Sequence, residues 1–177
     1  DERLDRADRC PIPGSLNGRL TLPRGRLTSS EAHTGPKGPP MRNVFPTICT
    51  DAVADVRDFY CQLLDFEAIF DSGWYVQLAS VDDPTRQIGV VNRTHESVPE
   101  GFRTSPAGVL ISIELDDVDA VHRRVIATGH RVVREIRDEE FGQRHFMTVD
   151  PAGTLVDVIT QIEPSEHYAQ FGTTSAP

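Results

Sequence analysis

A chain of 177 residues is long enough for one domain with a sizeable core and terminal segments besides. At 38% hydrophobic and 25% charged it has the composition of a soluble globular chain, and no apolar run approaches the roughly 20 residues of a membrane span. The formal charge of −9 is uneven: residues 1–40 hold seven basic and five acidic residues, and residues 41–177 hold eleven and twenty-two. So acidic a body repels phosphate backbones, and nucleic acid is not an expected partner.

The N-terminus shows no signal-peptide pattern. The three cysteines, Cys10, Cys49 and Cys61, form neither a disulfide framework nor a CxxC motif, and a reducing, cytoplasmic setting is expected. Residues 1–40 contain six Pro and five Gly with no sustained period, so they are expected to be disordered or to be sequence upstream of the domain. The patterned part runs over 41–163, with a tail at 164–177.

Residues 43–50 read as a first strand in which Pro46 marks an edge or a bulge. Thr50 or Asp51 can cap a helix over 52–64 whose Val53, Val56, Phe59, Tyr60, Leu63 and Leu64 share one face. Two strands, 66–70 and 74–80, flank the turn Asp71-Ser72-Gly73, and the turn at 82–85 leads to a fourth strand at 87–92. A polar linker spans 93–107. A strand at 109–115 follows, then a cap at Asp116-Asp117, a helix over 118–128 stopped by Gly129, and a strand at 131–136. The last two strands, 145–149 and 155–159, are joined by Asp150-Pro151-Ala152-Gly153, where Pro presets φ and Gly tolerates positive φ.

The order repeats. Each half is β-α-β-β-β, module one at 43–92 and module two at 108–162. Asp51-Ala-Val-Ala-Asp-Val56 lies over Asp116-Asp-Val-Asp-Ala-Val121, and Asp83-Pro84 lies over Asp150-Pro151. The expected fold is α+β: two pseudo-symmetric βαβββ modules whose curved sheets enclose a cavity.

Strand parity separates core from cavity. Val109, Ile111, Ile113 and Leu115 form a wholly apolar face for the helix, leaving Leu110, Ser112 and Glu114 on the other. In the first strand Val44 and Ile48 are expected under the helix, with Phe45, Thr47 and Cys49 opposite. In the last, Val156 and Val158 pack inward, and Asp157 turns to the second face. Such amphipathic faces suit either a ligand cavity or an ordinary wetted sheet surface.

Three stretches carry a family likeness: the paired modules themselves, Val53-Ala-Asp-Val-Arg-Asp-Phe-Tyr60 followed by Leu63-Leu64-Asp65-Phe66, and Gly142-Gln-Arg-His-Phe-Met-Thr-Val-Asp-Pro-Ala-Gly153 followed by Leu155-Val-Asp-Val. Over 43–162 the chain resembles the vicinal oxygen chelate superfamily, which includes glyoxalase I, extradiol dioxygenases and the bleomycin-resistance and other antibiotic-binding proteins. The resemblance implies a divalent metal held by four inward residues on the first, fourth, fifth and eighth strands. Here those positions are Phe45, Gly89 or Val90, Leu110 and Asp157, and a lone carboxylate cannot satisfy such an ion.

No cofactor is therefore expected, with a relocated divalent metal as the alternative. The expected activity is metal-independent binding of a small aromatic or cationic molecule, of the antibiotic-sequestering type, by a homodimer. Phe45, Trp74 and Leu110 would supply apolar walls, and Thr47, Ser112, Glu114, His145 and Asp157 polar contacts. The alternative is a lyase, isomerase or dioxygenase using His145, Glu114 or Asp157 in acid–base chemistry or at a displaced metal. Bland roles compete at each position: His145 hydrogen-bonded within the strand pair, Asp157 salt-bridged to Arg144, and Glu114 hydrated at a strand end.

Overall fold

The computed structural model describes residues 41–171; the expectations for 1–40 and for the last six residues lie outside the described residues. Two four-stranded sheets are present, each with its own helix. Sheet one comprises β1 (Thr47–Thr50), β2 (Phe66–Asp71), β3 (Tyr75–Ser80) and β4 (Gln87–Asn92), in the order β1-β4-β3-β2. Sheet two comprises β5 (Leu110–Glu114), β6 (Val132–Glu139), β7 (Gln143–Val149) and β8 (Leu155–Gln161), in the order β5-β8-β7-β6. In both, the first strand runs parallel to the fourth and the remaining pairs are antiparallel. The duplication seen in the sequence is thus a duplication of topology.

Helix α1 (Val53–Leu63) buries Val53, Val56, Phe59, Tyr60 and Leu63, the face that the 3.6-residue period predicts. The Thr50 hydroxyl accepts the Ala52 N–H just ahead of it at 3.0 Å. Helix α2 (Val118–Ala127) is capped by the Asp117 carboxylate, which accepts the Ala120 N–H at 2.9 Å. It ends at Gly129, whose φ of +75° lies in the left-handed region that Gly adopts most cheaply. No helix among the described residues is long and apolar enough to cross a membrane.

Both helices pack on the apolar faces of their sheets, and their side chains merge into one core cluster that includes Val56, Leu78, Val90, Val125, Phe146 and Val158. Three contacts tie the modules together: Phe59 meets the His130 ring edge-on at 5.1 Å, Arg124 pairs with Asp65, and the Tyr60 hydroxyl donates to the buried Asp150 carboxylate at 3.2 Å.

Among the boundaries that differ from expectation, two matter most. The first strand begins at Thr47, not 43; Val44 is 74% exposed and does not sit under the helix. Pro46 has no N–H for the ladder, and its carbonyl instead accepts the Gly89 N–H at 2.9 Å. Strand β6 extends to Glu139, three residues beyond expectation, and turns at Gly142 (φ +98°) directly into β7. The stretch past 163 folds back as α3 (Glu166–Ala169), with the Ser165 N–H bonded to the Glu140 carbonyl and the Ile162 N–H to the Gly142 carbonyl.

The two sheets do not close over a cavity within one chain. Leu110, Ser112 and Glu114 on the face away from α2 are exposed, and the space between the modules is an open groove of about 1180 Å³ along β5.

Candidate functional site

The open face of sheet two is built by alternation. Register places Asp157 of β8 opposite Met147 of β7 and Ser112 of β5, and His145 opposite Arg137 of β6. The Asp157 carboxylate and His145 imidazole meet diagonally, Oδ1 to Nδ1 at 2.8 Å, and both side chains are almost wholly buried. The second ring nitrogen, Nε2, lies 3.1 Å from Oε1 of Glu139. Each ring nitrogen thus has a carboxylate oxygen within hydrogen-bond distance. Glu139 is in turn bonded by Arg137, which holds its carboxyl below the usual carboxylate range despite partial burial, with the His145 contact acting in the same direction.

Asp157 is therefore paired, though not with Arg144. That arginine projects from the opposite face, where it bonds Asp119 of α2 and Asp138. Glu114 stands apart as well, accepting a hydrogen bond from Gln161 at 2.7 Å at the exposed end of β5. The structure thus joins His145 to Asp157 and leaves out Glu114. Glu139 was not anticipated, because β6 was expected to stop before it. The alternation Arg137, Glu139 continuing the face of His145 was the signal that could have found it.

Leu110, Ser112 and Glu114 do share a surface, the groove along β5, whose other wall includes Asp82, Thr85, Arg86 and Gln87. The other sequence-predicted residues lie in module one. Phe45 precedes β1 and is half-exposed. Thr47 opens β1 opposite Gly89. Trp74 precedes β3 and stacks flat on His95, centroids 3.6 Å apart and planes 4° from parallel. It is Tyr75 that begins the strand, and its hydroxyl bonds the Gln77 side chain, which continues to Gln87 at 3.2 Å.

The four positions at which the resemblance implied metal ligands can now be tested for fit. A Cβ on Gly89 would come within 2.7 Å of the Thr47 hydroxyl and 2.9 Å of the Tyr75 hydroxyl, so Gly89 faces outward from the helix, while Val90 is fully buried beneath it. The set is then Phe45, Gly89, Leu110 and Asp157. Three have no donor, and the fourth is already committed to His145. These residues do not fit a divalent ion. Nor, among the described residues, does any other group of three His, Cys, Asp or Glu stand close enough to hold one.

Paired βαβββ modules with parallel first and fourth strands define a class, and comparison with known proteins names it. The chain belongs to the glyoxalase/bleomycin resistance protein/dioxygenase superfamily, whose family model matches residues 43–158. Comparison with curated proteins returns no significant match. Among solved structures, a superfamily member from Sphaerobacter thermophilus is similar at 21% identity and a TM-score of 0.56, covering 68% of this chain and 98% of its own. A family enzyme from Burkholderia phytofirmans is similar at 17% and 0.58, covering 67% and 97%. A virulence protein from Salmonella typhimurium is similar at 16% and 0.56, covering 71% and 100%. At such identities the likeness is one of fold, which in this class is compatible with many activities.

Proposed function

We propose that the protein binds a small organic molecule, aromatic or cationic, without a metal ion, in the manner of antibiotic-sequestering proteins, and that it does so as a cytoplasmic homodimer whose second copy covers the open sheet faces. The observation that supports this reading is the donor set: the inward positions hold Phe45, Gly89 and Leu110, and Asp157 is held by His145. Apolar Leu110 beside polar Ser112 and Glu114 gives the groove the mixed lining of organic-ligand sites. The acidic charge balance favours such a ligand over nucleic acid. The reading expects saturable binding in the presence of chelator. A broad calorimetric and thermal-shift screen in chelator that finds no stabilising ligand, or elemental analysis that finds one divalent ion per chain, would sink it.

A second reading rests on the 2.8 Å contact between His145 and Asp157. A carboxylate that orients an imidazole is the support a general base needs, so a metal-free lyase or isomerase, or a dioxygenase, is the enzymatic alternative. It expects turnover in chelator that is lost in His145→Gln. Turnover unchanged in that variant would exclude His145 as the base.

A further inference from the structure

The contacts at Glu139 converge in an unusual way. Arg137 Nε reaches its Oε1 at 2.6 Å, Arg137 Nη2 reaches the same oxygen, His145 Nε2 lies 3.1 Å from it and Arg134 Nη1 3.8 Å from it. Two guanidinium groups and an imidazole, from two strands, are thus gathered on one carboxylate oxygen. The arginines remain open to solvent, with side-chain exposures of 53% for Arg137 and 40% for Arg134, whereas His145 is fixed at 5% by Asp157 on its other nitrogen.

Glu139 is a poor occupant of this place. It stands two residues from Arg137 on the same strand face and delivers a single oxygen to the guanidinium, where an untethered carboxylate could deliver two in a parallel fork. Its guanidinium partners stay hydrated, at 40% and 53% exposed, and ion pairs with such open partners add little to stability. Beside the cluster stands an apolar surface. The Phe141 ring meets His145 edge-on at 6.4 Å and Tyr168 of α3 at 6.2 Å, and both aromatic rings are more than a third exposed.

We propose that Arg134, Arg137 and His145 form an anion site, occupied in the free chain by the protein's own Glu139, which accepts the carboxylate of a small ligand whose apolar body lies on Phe141 and Tyr168. Resting on the small-molecule-binding reading, this assigns the ligand a carboxylate in addition to an apolar part. Glu139 acts as an internal competitor: the ligand enters when Glu139 swings out to solvent at the end of β6. Asp138 and Arg144 pair on the opposite face, and Asp157 keeps its bond to Nδ1.

The test uses benzoate as the probe, benzamide as its uncharged counterpart and benzylamine as the cation, each titrated calorimetrically into the full chain in chelator. Removing the competitor in Glu139→Ala should tighten benzoate binding about tenfold or more, the worth of one charge-assisted contact. Glu139→Gln, which keeps the side chain's shape, should tighten it in the same direction, and benzamide should gain nothing. Adding Arg137→Ala to Glu139→Ala should abolish the gain, and side-chain nitrogen spectra should report benzoate at the His145 ring. Equal benzoate affinity in wild type and both Glu139 variants, or benzamide binding as well as benzoate, overturns the anion site. If benzylamine or another screened molecule binds while benzoate does not, the anion site falls and the proposed function stands; if nothing binds, both fall.

Discussion

Tyr60 and Asp150, 90 residues apart in sequence, share a buried hydrogen bond that joins the two modules. Asp150 also accepts the N–H groups of Ala152 and Thr154, which shape the turn between β7 and β8. Burial pushes the Asp150 carboxyl above its ordinary value in spite of these donors, and pushes the Tyr60 phenol up still more strongly. A folded-state pKa above the unfolded one means that the native state binds the extra proton. Asp150's contribution to stability is therefore fully present below the ordinary carboxylate value and is lost as pH rises through the raised one. Asp150→Asn should remove that fall: the stability difference between variant and wild type, from denaturant titrations at several pH values, should shift in favour of the variant as pH rises. A difference independent of pH would show that Asp150 titrates normally. In Tyr60→Phe the carboxylate keeps its backbone donors but loses the hydroxyl, a cost of about 1–2 kcal/mol by the same titration at neutral pH.

At the scale of strands and helices, alternation carried much of the structure. Ile111 and Ile113 face the helix side and Leu110, Ser112 and Glu114 the open side, as parity in β5 required, but Val109, expected under the helix, precedes the strand and is exposed. Helix α1 buries five of the six residues its period selected, and the sixth, Leu64, is buried at its C-cap. Boundaries were less legible. A strand such as β6, at the edge of its sheet with register shifts along it, has no clean two-residue rhythm, and its last residues, Arg137, Asp138 and Glu139, are charged and look like a turn. The meeting of Glu139 with His145 was lost for that reason. The pairing of His145 with Asp157 was hidden differently, because parity places residues on a face without saying which diagonal neighbours touch. Gly89 offers a test of register at this scale. A methyl added there meets the stiff, β-branched Thr47 at 2.7 Å, so Gly89→Ala should destabilise by about 1–3 kcal/mol. Adding Thr47→Ala should recover much of that loss, because it clears the nearest obstruction. A double variant no more stable than Gly89→Ala alone would place the strain elsewhere.

At the scale of the whole molecule, the duplicated modules leave surface that one chain does not cover. Strand β5 is an edge: it pairs with β8 on one side and borders the open groove on the other. Leu110 is 46% exposed and its neighbour Val109 61%, and in sheet one Phe70 is 54% exposed. An apolar strand edge left bare invites pairing with another chain, and natural proteins usually cover or charge it. The proposed homodimer answers this by placing a second copy over the open faces. Sedimentation equilibrium should then return about twice the chain mass of 19.6 kDa at micromolar concentration. Leu110→Asp, which puts a charge on the surface the second copy would cover, should shift the equilibrium toward monomer by about tenfold or more while leaving the core cluster and thermal unfolding of the monomer intact, since Leu110 lies outside that cluster. A wild-type chain that sediments as a monomer at every concentration would remove the second copy. The groove along β5 would then stand open in solution, and ligand affinity would owe nothing to protein concentration.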